Sequence, residues 1–175
     1  GKNLDFDLEW GLKLAGEALP VPFDSQTLKA ALEFVTGRLR GLLLERGYRY
    51  DVVDAVLKAQ AANPAKAGRF ARSLGAWTAR EDWGSILPAY SRCARITRDI
   101  KETFLVDENA LVEAEERRLL ASVRAAQARL EGSPDLNAAL EAVRQMVPEI
   151  NGFFDKVLVM AEDEKLRKSR LGLLQ

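Results

Sequence analysis

Apolar residues recur at three- and four-residue intervals along nearly the whole of this chain, and nowhere do they alternate as they would in a half-buried strand. Between residues 25 and 46, Leu28, Leu32, Val35, Leu39, Leu42 and Leu43 form one stripe, the pattern of a helix that turns a single face to a core. Without strands to pair, such a chain must bury its stripes helix against helix. Its 175 residues, 47% of them apolar, can bury roughly two-thirds of the surface an unfolded chain exposes. The expected fold is all-α, a helical bundle of about seven to nine helices.

Capping residues and breakers divide the pattern. A first helix over Phe6–Leu19 stops at Pro20-Val21-Pro22, and Asp24 or Ser25 caps a long second helix that ends at Gly47. Asp51 is expected to cap a third helix carrying Val52, Val53, Val56 and Leu57, and Asn63-Pro64 opens a fourth through Phe70 and Leu74. Thr78-Ala79-Arg80-Glu81 has capping-box spacing and predicts a helix to about Ile100, kinked at Pro88. Asp107 is expected to cap a charged helix ending at Glu131-Gly132, and Ser133-Pro134 to open the next. Pro148 and Gly152 should break that one before two short helices, Phe153–Val159 and Lys165–Leu174. No Gly/Ser linker interrupts the chain, so residues 1–175 are expected to be one helical domain, with an outlying helical pair at 107–147.

Several chemistries are excluded by composition. The chain has no histidine and only one cysteine, Cys93, which removes Ser-His-Asp and Cys-His catalysis, His/Cys zinc sites and internal disulfides. It has no apolar run approaching the ~20 residues of a membrane span, and the expected setting is the cytoplasm, away from membranes. Glu115-Glu116 and Asp163-Glu164 lie beside Arg117-Arg118 and Lys165-Arg167-Lys168, the arrangement of solvated helix surfaces rather than of paired catalytic acids.

The formal net charge is zero, but the average hides a gradient. Residues 36–101 hold 13 Lys+Arg against 6 Asp+Glu, residues 1–35 hold 3 against 6, and residues 102–175 hold 10 against 14. A basic middle between acidic flanks suits a polyanionic partner. Arg92, Arg95, Arg98 and Lys101 make a slanted stripe, Arg69 and Arg72 a pair one helix earlier, and Arg46 and Arg49 flank the next corner upstream. That corner reads Gly47-Tyr48-Arg49-Tyr50. Either tyrosine could pack with its hydroxyl in water, or stack on an unpaired base. The candidate contacts to such a partner are therefore Arg46, Tyr48, Arg49, Tyr50, Arg69, Arg72, Arg92, Arg95 and Arg98. Trp10, Trp77 and Trp83 read as core or boundary packing.

The stretch FFDKVLVMAEDEKLRKSRLGLL at 153–174 resembles the end of the β subunit of bacterial heterotetrameric glycyl-tRNA synthetase. GYRYDVVDAVL at 47–57 and KNLDFDLEWGL at 2–12 resemble further segments of the same family. AYSRCARI at 89–96 is similar to its lysine-arginine-valine-x-asparagine-isoleucine segment, with Ser91 and Arg95 in place of the lysine and asparagine. The resemblance implies a helical anticodon-binding domain of the type appended to arginyl-tRNA synthetase, here as a C-terminal fragment of a larger β subunit. It implies glycine tRNA, the α subunit and the remainder of the β subunit as partners. The fragment itself would be non-catalytic and without a cofactor, with ATP and Mg used at the class II site of the α subunit. Glycine anticodons present two cytosines, and Arg46, Arg49, Arg92 and Arg95 are the candidate donors to their acceptors. A helical module that only docks other parts of the synthetase is the alternative.

Overall fold

The computed structural model describes residues 4–132 and 135–175. Among these, the α-helices are α1 (Leu8–Glu17), α2 (Ser25–Glu45), α3 (Tyr50–Gln60), α4 (Pro64–Thr78), α5 (Trp83–Thr97), α6 (Ala114–Leu130), α7 (Leu136–Lys156) and α8 (Glu164–Leu174), with a 3-10 turn at Glu108–Ala110 and no strand. The fold is all-helical, as the apolar period requires. It divides into two compact units, one ending at Ala79 and the other running Arg80–Gln175.

In the first unit α2 packs against α1, α3 and α4, and α3 against α4. Its core joins Leu39 and Leu43 of α2, Val53, Val56 and Leu57 of α3, and Ala67 and Ala71 of α4. Leu42, expected on the same stripe, is exposed. Asp24 caps α2 by accepting from Thr27 N at 2.8 Å, and Asn63 caps α4 by accepting from Lys66 N at 3.0 Å ahead of Pro64. Arg49, not Asp51, precedes α3. Asp51 lies inside the first turn, where its carboxylate is held by the Arg49 guanidinium at 2.6 and 3.1 Å.

In the second unit α7 packs against α5 and α6, and α8 against α5, α6 and the 3-10 turn. Three boundaries differ from expectation. Thr78 ends α4 instead of opening a helix, because its hydroxyl donates backward to Gly75 O at 3.0 Å; α5 begins at Trp83 and continues through Pro88 to Thr97. Asp107 caps only the 3-10 turn, accepting from Asn109 N at 2.9 Å. The long helix starts at Ala114, where Glu116 accepts from Glu113 N at 2.7 Å. The expected opening at Ser133-Pro134 lies outside the described residues.

α7 does not break at Pro148 or Gly152. A mid-helix proline costs about 3 kcal/mol, but Val147, Ile150 and Phe153 are buried on the same stripe, and each such side chain contributes roughly 1.5–3 kcal/mol. Burial wins. Phe153 therefore belongs to the last turns of α7, not to a separate helix. α8 is capped by Asp163, which accepts from Leu166 N at 2.7 Å. Gly172 lets α8 approach the backbone at Phe104, where a Cβ would lie 2.6 Å from the carbonyl oxygen.

Candidate nucleic-acid interface

The Gly47 corner is built by the end of α2. Gly47 takes a φ of +85°, its N–H donates to Leu44 O at 2.9 Å, and Tyr48 N donates to Leu43 O at 3.3 Å. This is the Schellman arrangement, in which the residue after the left-handed glycine packs back on the helix. Tyr48 accordingly lies against the core around Leu43, with its ring facing Gly75 of α4. Tyr50 is 69% exposed. The two tyrosines, equivalent in the sequence, have opposite environments.

The cations of the first unit also divide. Arg49 is paired with Asp51, and Arg69 donates to Asp5 at 2.8 Å. Asp5 also accepts from Asn63, and these two hydrogen bonds, Asn63 first and Arg69 second, hold its carboxyl below the usual range. Arg46 and Arg72 are exposed, and neither pairs with a carboxylate among the described residues. Arg72 lies one helical turn before Gly75, the residue that Tyr48 faces.

In the second unit, Arg92 sits with its guanidinium 4.3 Å from the centre of the Phe154 ring, half-buried between α5 and α7. Cation–π contact of this kind fixes the side chain against the protein. Arg95 donates to Ser91 O at 3.3 Å and is exposed, as are Arg98 and Lys101. None of these three pairs with a carboxylate among the described residues. The candidates therefore form two groups: Arg46, Tyr48, Arg49, Tyr50, Arg69 and Arg72 belong to the first unit, and Arg92, Arg95 and Arg98 to the second.

Beside the basic end of α5 lies a cleft of about 440 Å³ between α5, α6, α7 and α8. Tyr90, Cys93, Ala94 and Thr97 line it from α5 at helical spacing, Gln127 from α6 and Met146 from α7. Tyr90 is 56% exposed, and burial pushes the Cys93 thiol up, away from the thiolate. Sequence reasoning passed over Tyr90 and Gln127. Tyr90 lay in the quoted AYSRCARI segment, and its three-residue spacing to Cys93 and seven-residue spacing to Thr97 was the available signal.

Trp77 is buried, whereas Trp10 is 60% exposed and meets Phe6 edge to face, which corrects its reading as a packing residue. Among the described residues no group of three His, Cys, Asp or Glu is placed to hold a metal, and no helix is long and apolar enough to cross a membrane.

A family model described as the DALR anticodon binding domain matches residues 86–175. Glycine–tRNA ligase, chloroplastic/mitochondrial 2, of Arabidopsis thaliana is 34% identical over 175 residues, covering 99% of this chain and 16% of the plant protein. The glycine–tRNA ligase β subunit of Moorella thermoacetica is 36% identical over 169 residues, covering 94% of this chain and 24% of that subunit. That of Acidobacterium capsulatum is 33% identical over 186 residues, covering 99% and 26%. The chain thus spans about a quarter or less of the length of these relatives. The matched region begins in the first turn of α5 and contains Tyr90, the unpaired Arg95, Arg98 and Lys101 and the whole cleft, and by that match the chain belongs to the DALR anticodon binding domain family.

Proposed function

We propose that this chain is the tRNA-binding part of a glycine–tRNA ligase β subunit and engages the anticodon region of glycine tRNA. The observation that carries the proposal is the presence, within the family-matched segment, of an exposed ring at a cleft and of cations that lack carboxylate partners: Tyr90 on α5, and Arg95, Arg98 and Lys101 at and just beyond the end of the same helix. An anticodon loop offers splayed bases and a tight phosphate turn. Cations on phosphate supply affinity, and ring stacking and base-edge hydrogen bonds supply selectivity. Tyr90 is the stacking platform at the cleft mouth, and the Gln127 amide supplies both a donor and an acceptor. Arg46, Arg72 and the exposed Tyr50 add a second contact.

In this reading residues 1–175 act as one tRNA-binding domain. The chain works in the cytoplasm with the α subunit and the rest of the β subunit, and ATP and Mg are used on the α subunit. It charges no tRNA by itself.

The test is a titration with glycine tRNA, and with a tRNA of altered anticodon, across a salt series. Arg98→Ala should weaken binding of both RNAs and lower the salt slope by roughly 0.7 for one lost single-strand phosphate contact. Tyr90→Ala should cost about 1–3 kcal/mol with the slope unchanged. If both variants fold and bind as the parent does, the anticodon is not read at α5.

A further inference from the structure

Beyond α5 the chain carries no helix from Ile100 to Asp107, yet one face of α8 holds that stretch along most of its length. The Gln175 side-chain amide accepts from Phe104 N at 2.8 Å and donates to Glu102 O at 2.7 Å, as the backbone of a neighbouring strand would. At Gly172 the two chains close up: a Cβ there would lie 2.6 Å from Phe104 O and 3.3 Å from Val106 Cγ2. Ser169, 1% exposed, accepts from Asp107 N at 3.1 Å, and Lys165 pairs with Asp107 at 2.6 Å. Phe104 lies under the Lys168 ammonium, whereas Leu105 between it and Val106 points into solvent. The lengths agree. The extended chain from Glu102 to Asp107 spans about 17 Å, and α8 from Lys165 to Gln175 spans about 15 Å. Residues 102–107 therefore form a strap that runs antiparallel to α8 in one register.

The residue just before the strap is Lys101. It lines a hollow of about 500 Å³ that shares Thr97, Val123, Gln127, Leu173 and Gln175 with the cleft at Tyr90. Lys101 is exposed and pairs with no carboxylate among the described residues. The charge of the neighbouring Glu102 is felt by Lys168, whose ammonium is held up by the Glu164 hydrogen bond and charge first and by Glu102 after them. With its backbone already pinned by the bond from Gln175 to the next carbonyl, Lys101 has only its side chain to order when an anion arrives.

We propose that Gly172 and Gln175 are positioning residues for RNA: by fixing the strap on α8 they place Lys101 beside the cleft, where its ammonium binds a phosphate of the strand whose base the cleft receives. The inference rests on reading the cleft as a tRNA site.

A double-mutant cycle tests this. Lys101→Ala, Gly172→Ala and Gln175→Met, and Lys101→Ala combined with each of the other two, are titrated with glycine tRNA across a salt series, and the fold of each variant is checked by its melt. Gly172→Ala removes no hydrogen-bonding group and adds a methyl aimed at the strap. Lys101→Ala should weaken binding severalfold and lower the salt slope by roughly 0.7. Gly172→Ala and Gln175→Met should each do the same, and neither should lower affinity or slope further once Lys101 is gone. A lowered melting temperature with affinity and slope unchanged would make the strap a structural feature only and overturn the inference. Additive losses would overturn it too, since they are what a direct RNA contact by Gln175 produces. Should Gly172→Ala fail to fold, the Gln175→Met cycle decides. Parent-like binding by Lys101→Ala ends the inference but leaves the cleft reading to Tyr90→Ala and Arg98→Ala, whereas no binding of glycine tRNA by the parent chain sinks both.

Discussion

Tyr48 and Tyr50 share a corner but are set apart by a single backbone geometry. Tyr48 follows the left-handed Gly47 and is turned onto Leu43, whereas Tyr50 opens α3 into solvent. Tyr48→Ala should therefore lower unfolding stability by about 1–3 kcal/mol, less than a fully buried aromatic because the ring is half in water. Tyr50→Ala should stay within about 0.5 kcal/mol. Denaturant melts of the two variants decide this, and equal effects would refute the assignment. The glycine was legible as a helix end, and the packing of the next residue follows from the same motif. The pairing of Arg69 with Asp5 was not legible, because the partners are 64 positions apart and only the fold brings them together. The same holds for Arg92 over Phe154: the stripe on α5 could be read, but not the ring that another helix places beneath it.

Helices are where the sequence was most informative, since apolar period and capping chemistry act within a few residues. Asn63-Pro64 and Asp24 cap as expected. The misplaced starts, Thr78 and Asp107, are residues of the right type whose oxygens were already engaged by Gly75 N-terminal to one and by a 3-10 turn after the other. The most consequential link between helices is the buried Glu116–Arg170 pair. Arg170→Met should cost about 3–5 kcal/mol because it leaves a buried carboxylate unpaired. Replacing both partners by apolar residues, Glu116→Leu with Arg170→Met, should recover much of that loss. A double variant as unstable as the single one would show that the arginine's bond to Leu158 O matters more than charge pairing. In either case the second unit should lose cooperativity before the first, which equilibrium unfolding followed separately in the two units would reveal.

Across the whole molecule the absence of histidine removes the side chain that ordinarily titrates near neutrality. Several carboxylates are held below their usual range. Glu141 is brought to about 2 by hydrogen bonds from Arg144, at 2.5 Å, and Gln145, at 2.8 Å; Asp54, beside Arg40, shifts in the same direction. A carboxylate depressed in the folded state stabilises it above the unfolded pKa, and that contribution is lost as pH falls through the folded value. The unfolding midpoint should thus be level between pH 5.5 and 7.5 and decline below about 4.5, and Glu141→Gln should make the decline shallower between 4.5 and 2. Thermal melts across that range check both statements.

The order in which the chain is made gives the Glu116–Arg170 pair a second consequence. The core of the first unit lies within residues 39–71, so a ribosome that has finished α4 has already delivered all of it. Glu116 must wait for a partner 54 residues downstream, which at about 5–20 residues per second is a delay of roughly 3–11 s. Throughout that interval its carboxylate has to stay in water, and α6 cannot settle against a helix not yet synthesised. α8 closes the second unit, and a nascent chain released before Arg170 would present an open, unpaired interior to the proteases that inspect new proteins.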